Sequence, residues 1–210
     1  MALVVRGLAY SRGGRQLFSE LSFALQAGES LWLTGSNGAG KTSLLRLLCG
    51  LSSAQAGEIS WKEHLLQDDR DGFHSELLYI GHQYGIKADL TPVENLTYIS
   101  RMNSRHYSSA QIVNALLAIG LSAQADLPAR VLSQGQQKRI ALAQLFLPDL
   151  PSLLILDEPF SALDSASITL LIARLAAHLR QGGVVVYTSH QEFSFGANES
   201  TTSKRLHLGV

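Results

Sequence analysis

The stretch Gly35-Ser36-Asn37-Gly38-Ala39-Gly40-Lys41-Thr42 decides the fold. It fits the pattern G-x-x-x-x-G-K-[ST], in which glycines let successive backbone N–H groups turn toward phosphate oxygens. Chance produces that pattern in roughly 1% of chains of this length, and the setting makes chance weaker still. An apolar run at 31–34 precedes it and predicts a strand. Leu44, Leu45, Leu47 and Leu48 follow at helical spacing, with Gly50 as the stop. A strand, a glycine-rich loop and a helix N-terminus make an anion cradle. In such a cradle Lys41 reaches the β- and γ-phosphates of a nucleotide, and the Thr42 hydroxyl binds Mg²⁺. The expected nucleotide contacts are Gly35, Ser36, Asn37, Gly38, Ala39, Gly40, Lys41, Thr42 and Ser43.

Further along, apolar runs at 77–80, 153–157 and 184–188 predict more strands. The last two are apolar at consecutive positions, as strands covered on both faces are. Short apolar runs alternating with helical patterns predict an α/β sheet. From about residue 85 to 149 the character changes to helices, at 92–102, at 109–119 with Ser108 as N-cap, and at 137–147. The tail 197–204 is polar and reads as a loop.

The strand at 153–157 ends in Asp157-Glu158-Pro159. An acid at the end of a buried parallel strand stands where such sheets bind ligands. Asp157 is expected to hold Mg²⁺ through water, and Glu158 to polarise an attacking water on the γ-phosphate side.

Composition narrows the partners. The chain has 210 residues, with 17 Lys+Arg against 17 Asp+Glu, so it lacks the basic excess of a nucleic-acid binder. It is 46% hydrophobic and only 16% charged, which suggests surface covered by a partner. No apolar run approaches the roughly 18 residues that span a bilayer, and no signal peptide is read at the start. The lone Cys49 allows no internal disulfide, and its default is a buried apolar thiol. These features point to the cytosol, where the glycosylation patterns at Asn95 and Asn198 carry no meaning.

Leu132-Ser133-Gln134-Gly135-Gln136 resembles the signature of ATP-binding cassette (ABC) ATPases, usually LSGGQ. The rest of that family's pattern follows in order. Gln83 stands at the Q-loop, Ser161-Ala162-Leu163-Asp164 at the D-loop, and His190 at the H-loop. Tyr10 stands at the aromatic that stacks on adenine. The resemblance spans about residues 3–190. It implies a P-loop NTPase (RecA-like) α/β core with an antiparallel β sub-lobe and a helical signature sub-lobe. The whole of 1–210 is then one ABC ATP-binding domain, with the helical sub-lobe at about 85–149. ATP with Mg²⁺ lies between two copies, so Ser133, Gly135 and Gln136 of one complete the site of the other in a homodimer. Lys41, Gln83, Glu158 and His190 form the implied catalytic set, and Thr42, Gln83 and Asp157 the metal set. Asp164 crosses the dimer interface, and Gln83 links the γ-phosphate to the helical sub-lobe where a membrane subunit docks. One position departs. If the signature's first glycine needs φ > 0, Gln134 is strained there and alters turnover.

Outside the shared motifs, the chain is similar to the ATP-binding subunits of cytochrome c maturation haem exporters. The residues are Tyr79-Ile80-Gly81-His82-Gln83, the run 85–96, Leu127-Pro128-Ala129-Arg130, Gln136-Gln137-Lys138-Arg139, Phe160 and His190-Gln191. The implied role is ATP-driven haem export, or release of a haem-loaded chaperone. The implied place is peripheral, on the cytoplasmic face of a bacterial inner membrane, with transporter subunits on separate chains and cytochrome c maturation proteins as partners. About twenty residues follow His190, too few for a regulatory domain. No C-x-x-C-H motif offers haem attachment, and His82 is expected to pack against the sub-lobe rather than ligate. The generic motifs alone also fit an exporter of lipid, drug or lipoprotein. A soluble non-transport ABC ATPase fits less well, because 85–149 lacks sustained heptads and the chain carries one cassette.

Overall fold

The computed structural model describes residues 2–196 and 202–209. They form two compact units: Met1–Gly81, Pro151–Pro159 and Leu175–Val210 in the first, His82–Leu150 and Phe160–Arg174 in the second.

The first unit holds two sheets. Strands β1 (Leu3–Arg12) and β2 (Arg15–Leu25) form an antiparallel hairpin across Gly13-Gly14, and β1 also pairs antiparallel with β4 (Ala56–Trp61). With the short β5 (His64–Leu65), the order is β2-β1-β4-β5. The second sheet is parallel, in the order β6-β7-β8-β3-β9. Its strands are β3 (Glu29–Gly35), β6 (Leu77–Ile80), β7 (Leu153–Leu156), β8 (Val184–Thr188) and β9 (Thr202–Leu208). Every residue of β7 and β8 is buried, which accounts for their unbroken apolar runs. Leu3, Val5 and Leu8 of β1 share one core with Leu31 and Leu33 of β3 and with Leu44, Leu45 and Leu48 of helix α1 (Lys41–Leu48). Each such side chain contributes about 1.5–3 kcal/mol on burial. A second helix, α2 (Arg70–Ser75), buries Phe73.

Strand β9 corrects the sequence reading of the tail. Residues 202–204 are not loop but open the edge strand Thr202–Leu208 beside β3, in register from Glu29↔Thr202 to Gly35↔Leu208. It reads as polar because an edge strand tolerates charge, and lysine suits it. Lys204 donates to Glu29 Oε2 at 2.6 Å and to the Ala24 carbonyl at 3.0 Å. The remainder of that tail, 197–201, including Asn198, lies outside the described residues.

The second unit is helical. Helices α3 (Pro92–Met102), α4 (Ser109–Ala118) and α5 (Gln134–Ala143) each begin with a capping box, formed by Thr91 with Glu94, Ser108 with Gln111, and Ser133 with Gln136. Such a box satisfies two N-terminal backbone donors from three residues' separation. Leu96, Ile112, Leu116, Leu132 and Ile140 share the core. Helix α5 begins at Gln134 and not at Gln137, because Ser133 caps it; after Ala143 a 3₁₀ turn, Gln144–Phe146, follows. Helix α6 (Ser165–Arg180) follows the acidic pair in sequence. Among the described residues, no helix is long and apolar enough to cross a membrane.

Candidate functional site

The loop after β3 has the geometry of a phosphate cradle. Gly40 is the N-cap of α1 at φ 101°, no side chain caps it, and the first turn carries no acid. The first-turn N–H groups and the helix dipole therefore face an incoming anion without competition. At Gly35, φ is 143° and a Cβ would fall 2.3 Å from the Leu208 carbonyl oxygen, so only glycine lets β9 run this close. Ser36, Asn37 and Gly38 are exposed, while Ala39, Gly40 and Ser43 are buried. Lys41 Nζ donates to the carbonyls of Gly35 at 2.7 Å and Ser36 at 3.1 Å. The ammonium thus lies across the mouth of its own loop, close to where phosphate oxygens would stand.

The acidic pair lies in the same unit. Asp157 is 6% exposed, and its N–H donates to the Ile80 carbonyl at 2.8 Å, continuing the β6–β7 ladder. Its Oδ2 accepts from Thr42 Oγ1 at 3.0 Å and its Oδ1 from Thr188 Oγ1 at 2.7 Å. Glu158 has φ 52°, a left-handed conformation that costs a non-glycine residue about 1–3 kcal/mol. Its N–H donates to Thr188 Oγ1 at 2.7 Å. Glu158 Oε1 is 3.7 Å from His190 Nε2, and the imidazole is 78% exposed. The residue before that histidine is anchored too, since Trp32 Nε1 donates to the Ser189 carbonyl at 3.1 Å. Next to Thr188, burial pushes the Tyr187 phenol up to about 12.

The donor set fits Mg²⁺. Thr42 and Asp157 bring a hydroxyl and one carboxylate together, and no cluster of three or more His, Cys, Asp or Glu occurs among the described residues. Magnesium is bound by one or two carboxylates together with water and substrate phosphates, rather than by a protein cage. Tyr10 on β1 is half-buried and stacks on Phe18, ring centroids 6.1 Å apart, so one of its faces is taken.

In the second unit, Ser133 Oγ accepts from Gln136 N–H at 3.2 Å, and Gln136 Oε1 accepts from Ser133 N–H at 2.9 Å. In that bond Ser133 Oγ is an acceptor, so its own hydrogen remains a donor for an anion. Gln134 is the first helical residue and is not among the positive-φ residues, which removes the strain expected of it. Gly135 is close-packed, since a Cβ there would fall 3.2 Å from the Ala162 carbonyl. Lys138, almost fully buried in α5, donates to the Ser161 carbonyl at 2.7 Å. Arg139 pairs with Asp164, whose carboxylate also accepts from Ser167 N–H at 2.8 Å. That backbone bond, more than the arginine, holds the Asp164 carboxyl below its ordinary range. Gln83 is exposed in the loop between β6 and α3. His82 is exposed as well.

Sequence reasoning did not assign roles to Thr188 or Asn95. Thr188 closes β8 after Val184, Val185, Val186 and Tyr187, and that break in the aliphatic pattern was the available signal. Asn95 is fully buried and ties the loop after Gln83, donating to the carbonyls of Lys87, Leu90 and Thr91 at 3.0–3.1 Å. Cys49 is fully buried, and burial pushes its thiol far up, as an inert core cysteine requires.

The family model described as ABC transporter matches residues 18–161. Proteins named cytochrome c biogenesis ATP-binding export protein CcmA are similar over nearly the whole chain. The one from Escherichia coli is 50% identical, covering 90% of this chain and 89% of its own. The one from Vibrio cholerae is 42% identical, covering 97% and 98%. The chain belongs to the ABC transporter family, in its CcmA branch. Solved structures agree on the ABC ATPase fold. A putative ABC transporter ATP-binding protein from Pyrococcus furiosus superposes with a TM-score of 0.80 at 19% identity, covering 98% of each chain. The ATP-binding cassette MJ0796, a dimer in a post-hydrolysis state with ADP and Pi, gives 0.78 at 21% identity, covering 90% of this chain and 88% of its own.

Proposed function

We propose that this chain is the ATP-binding and ATP-hydrolysing subunit of a transporter that exports haem, or releases a haem-loaded chaperone, during cytochrome c maturation. The observation that carries the reading is the junction of the phosphate loop with the acidic pair through Thr42 and Asp157, 3.0 Å apart. Lys41 and the first-turn N–H groups of α1 bind the β- and γ-phosphates, with Gly35 to Ser43 lining the loop. Thr42 and Asp157 hold the metal site. When bound, Mg²⁺ would neutralise negative charge on the phosphates. Glu158 takes a proton from the attacking water, and His190, 3.7 Å away, orients it against the γ-phosphate. Tyr10 offers its second ring face to adenine.

The signature residues Ser133, Gly135 and Gln136 act on the nucleotide of a second copy, so the working form is a homodimer and 1–210 functions as one cassette. Two features support this. The Ser133 hydroxyl hydrogen and the α5 N-terminus together suit a γ-phosphate. The cassette that matches in fold is described as a dimer with ADP and Pi. The names of the relatives, ATP-binding export proteins of cytochrome c biogenesis, support the haem pathway and a peripheral seat at the inner membrane, with transporter subunits on other chains. A pull-down from detergent-solubilised membranes tests the reading. Integral transporter subunits and cytochrome c maturation proteins are expected to co-purify. Recovery with the subunits of a lipid, drug or lipoprotein exporter, or of the chain alone, overturns the haem assignment.

A further inference from the structure

We propose that Thr188 is a positioning residue for ATP hydrolysis, its buried hydroxyl fixing both members of the acidic pair at once. The proposal rests on the reading of Asp157 and Glu158 given above. Thr188 closes β8 and is fully buried. Its Oγ1–H donates to Asp157 Oδ1 at 2.7 Å, and its oxygen accepts the Glu158 N–H at 2.7 Å. A hydroxyl has one hydrogen and two lone pairs, so both bonds form together without conflict. Asp157 is thereby gripped at both oxygens, by Thr188 from β8 and by Thr42 from α1.

The second bond acts on the backbone. Glu158 precedes Pro159, whose ring disfavours the right-handed helical region for the residue before it. At φ 52° the Glu158 amide points to Thr188 and its carboxylate reaches His190, two residues beyond Thr188 on the same segment. Thr188 therefore joins the Asp157 carboxylate to the Glu158 backbone through one atom, on the segment that carries His190. Packing does not ask for this atom, since β8 is otherwise Val184, Val185, Val186 and Tyr187, and valine has the shape of threonine.

The test uses the full chain with Thr188→Val, Thr188→Ala and Thr188→Ser. Both hydroxyl-free variants are expected to lose roughly 10- to 100-fold in kcat, the scale of a misplaced catalytic group. Both are also expected to need more Mg²⁺ for half-maximal rate, while ATP affinity measured in EDTA stays within about threefold of wild type. Thr188→Ser is expected to recover both kcat and the Mg²⁺ requirement. Wild-type kcat and Mg²⁺ dependence in Thr188→Val overturn the proposal, as does a Thr188→Ser variant as impaired as Thr188→Val, since side-chain volume and not the hydroxyl would then matter. Glu158→Gln separates the two levels. Its turnover at the wild-type rate defeats the reading of the acidic pair itself, whereas an inert Glu158→Gln beside a fully active Thr188→Val defeats the role of Thr188 alone.

Discussion

The signature turn and the acidic pair are both short polar stretches, but they are shaped by opposite means. At the signature, Ser133 and Gln136 are three residues apart and satisfy each other's backbone donors. At the acidic pair, Asp157 is held by Thr42, 115 residues away in sequence, and by Thr188, 31 residues away. The signature folds its own geometry from local hydrogen bonds. The acidic pair has none until three strands and a helix have assembled around it. Disturbance at the signature should therefore remain local, whereas disturbance near Asp157 should reach the chemistry through long-range partners.

The largest expected effect tests the assembled region. Lys41→Ala removes the cation that spans the phosphate loop and should abolish ATP binding, read by equilibrium binding. Retained ATP hydrolysis would sink the phosphate-loop assignment. Next, Glu158→Gln should keep ATP binding while hydrolysis falls by about 10²–10⁴-fold, the usual contribution of a general base. A closed dimer should then accumulate with ATP, visible by size-exclusion chromatography. Ser133→Ala should cost about 1 kcal/mol of stability as a lost N-cap and slow hydrolysis, while a lone chain still binds ATP. Loss of ATP binding in that variant would break the contrast between the regions.

Two smaller effects sharpen it. Burial raises the Tyr187 pKa to about 12, so the folded state holds its proton more tightly than the unfolded state does. The stability this confers is complete below the ordinary tyrosine pKa of about 10 and declines as pH rises toward 12. Melting curves across that window should fall less for Tyr187→Phe than for wild type. Smallest of all, Gln134→Gly should change stability by less than about 1 kcal/mol and leave hydrolysis nearly unchanged, because Gln134 has ordinary helical backbone. A several-fold gain in hydrolysis would mean that glycine is wanted there after all.

Much of this was legible beforehand. Consecutive apolar residues mark β7 and β8 because both faces are covered. Pro92 and the Ser108 cap mark the starts of α3 and α4 because those signals act within one helical turn. The apolar pattern places the start of α5 at Gln137, three residues late, because the polar Gln134-Gly135-Gln136 carries no helical periodicity, although Ser133 and Gln136 form a capping box. Strand β9 was missed because its sequence is mostly polar and its pairing with β3 is decided by a neighbour about 170 residues away. Thr188 was passed over as the end of a strand, since nothing near it in sequence reveals that Asp157 and Glu158 converge on it.

The phosphate loop, four of the five strands of the parallel sheet and the capped helices can be read from the sequence alone, because these rest on spacings within a few residues, and the order of the motifs along the chain carries the resemblance to the ABC family. Only the tertiary structure decided how Thr42, Asp157, Glu158, Thr188 and His190 meet. Hydrogen bonds at 2.7 to 3.0 Å depend on where separate strands and a helix come to rest, and no local pattern encodes that.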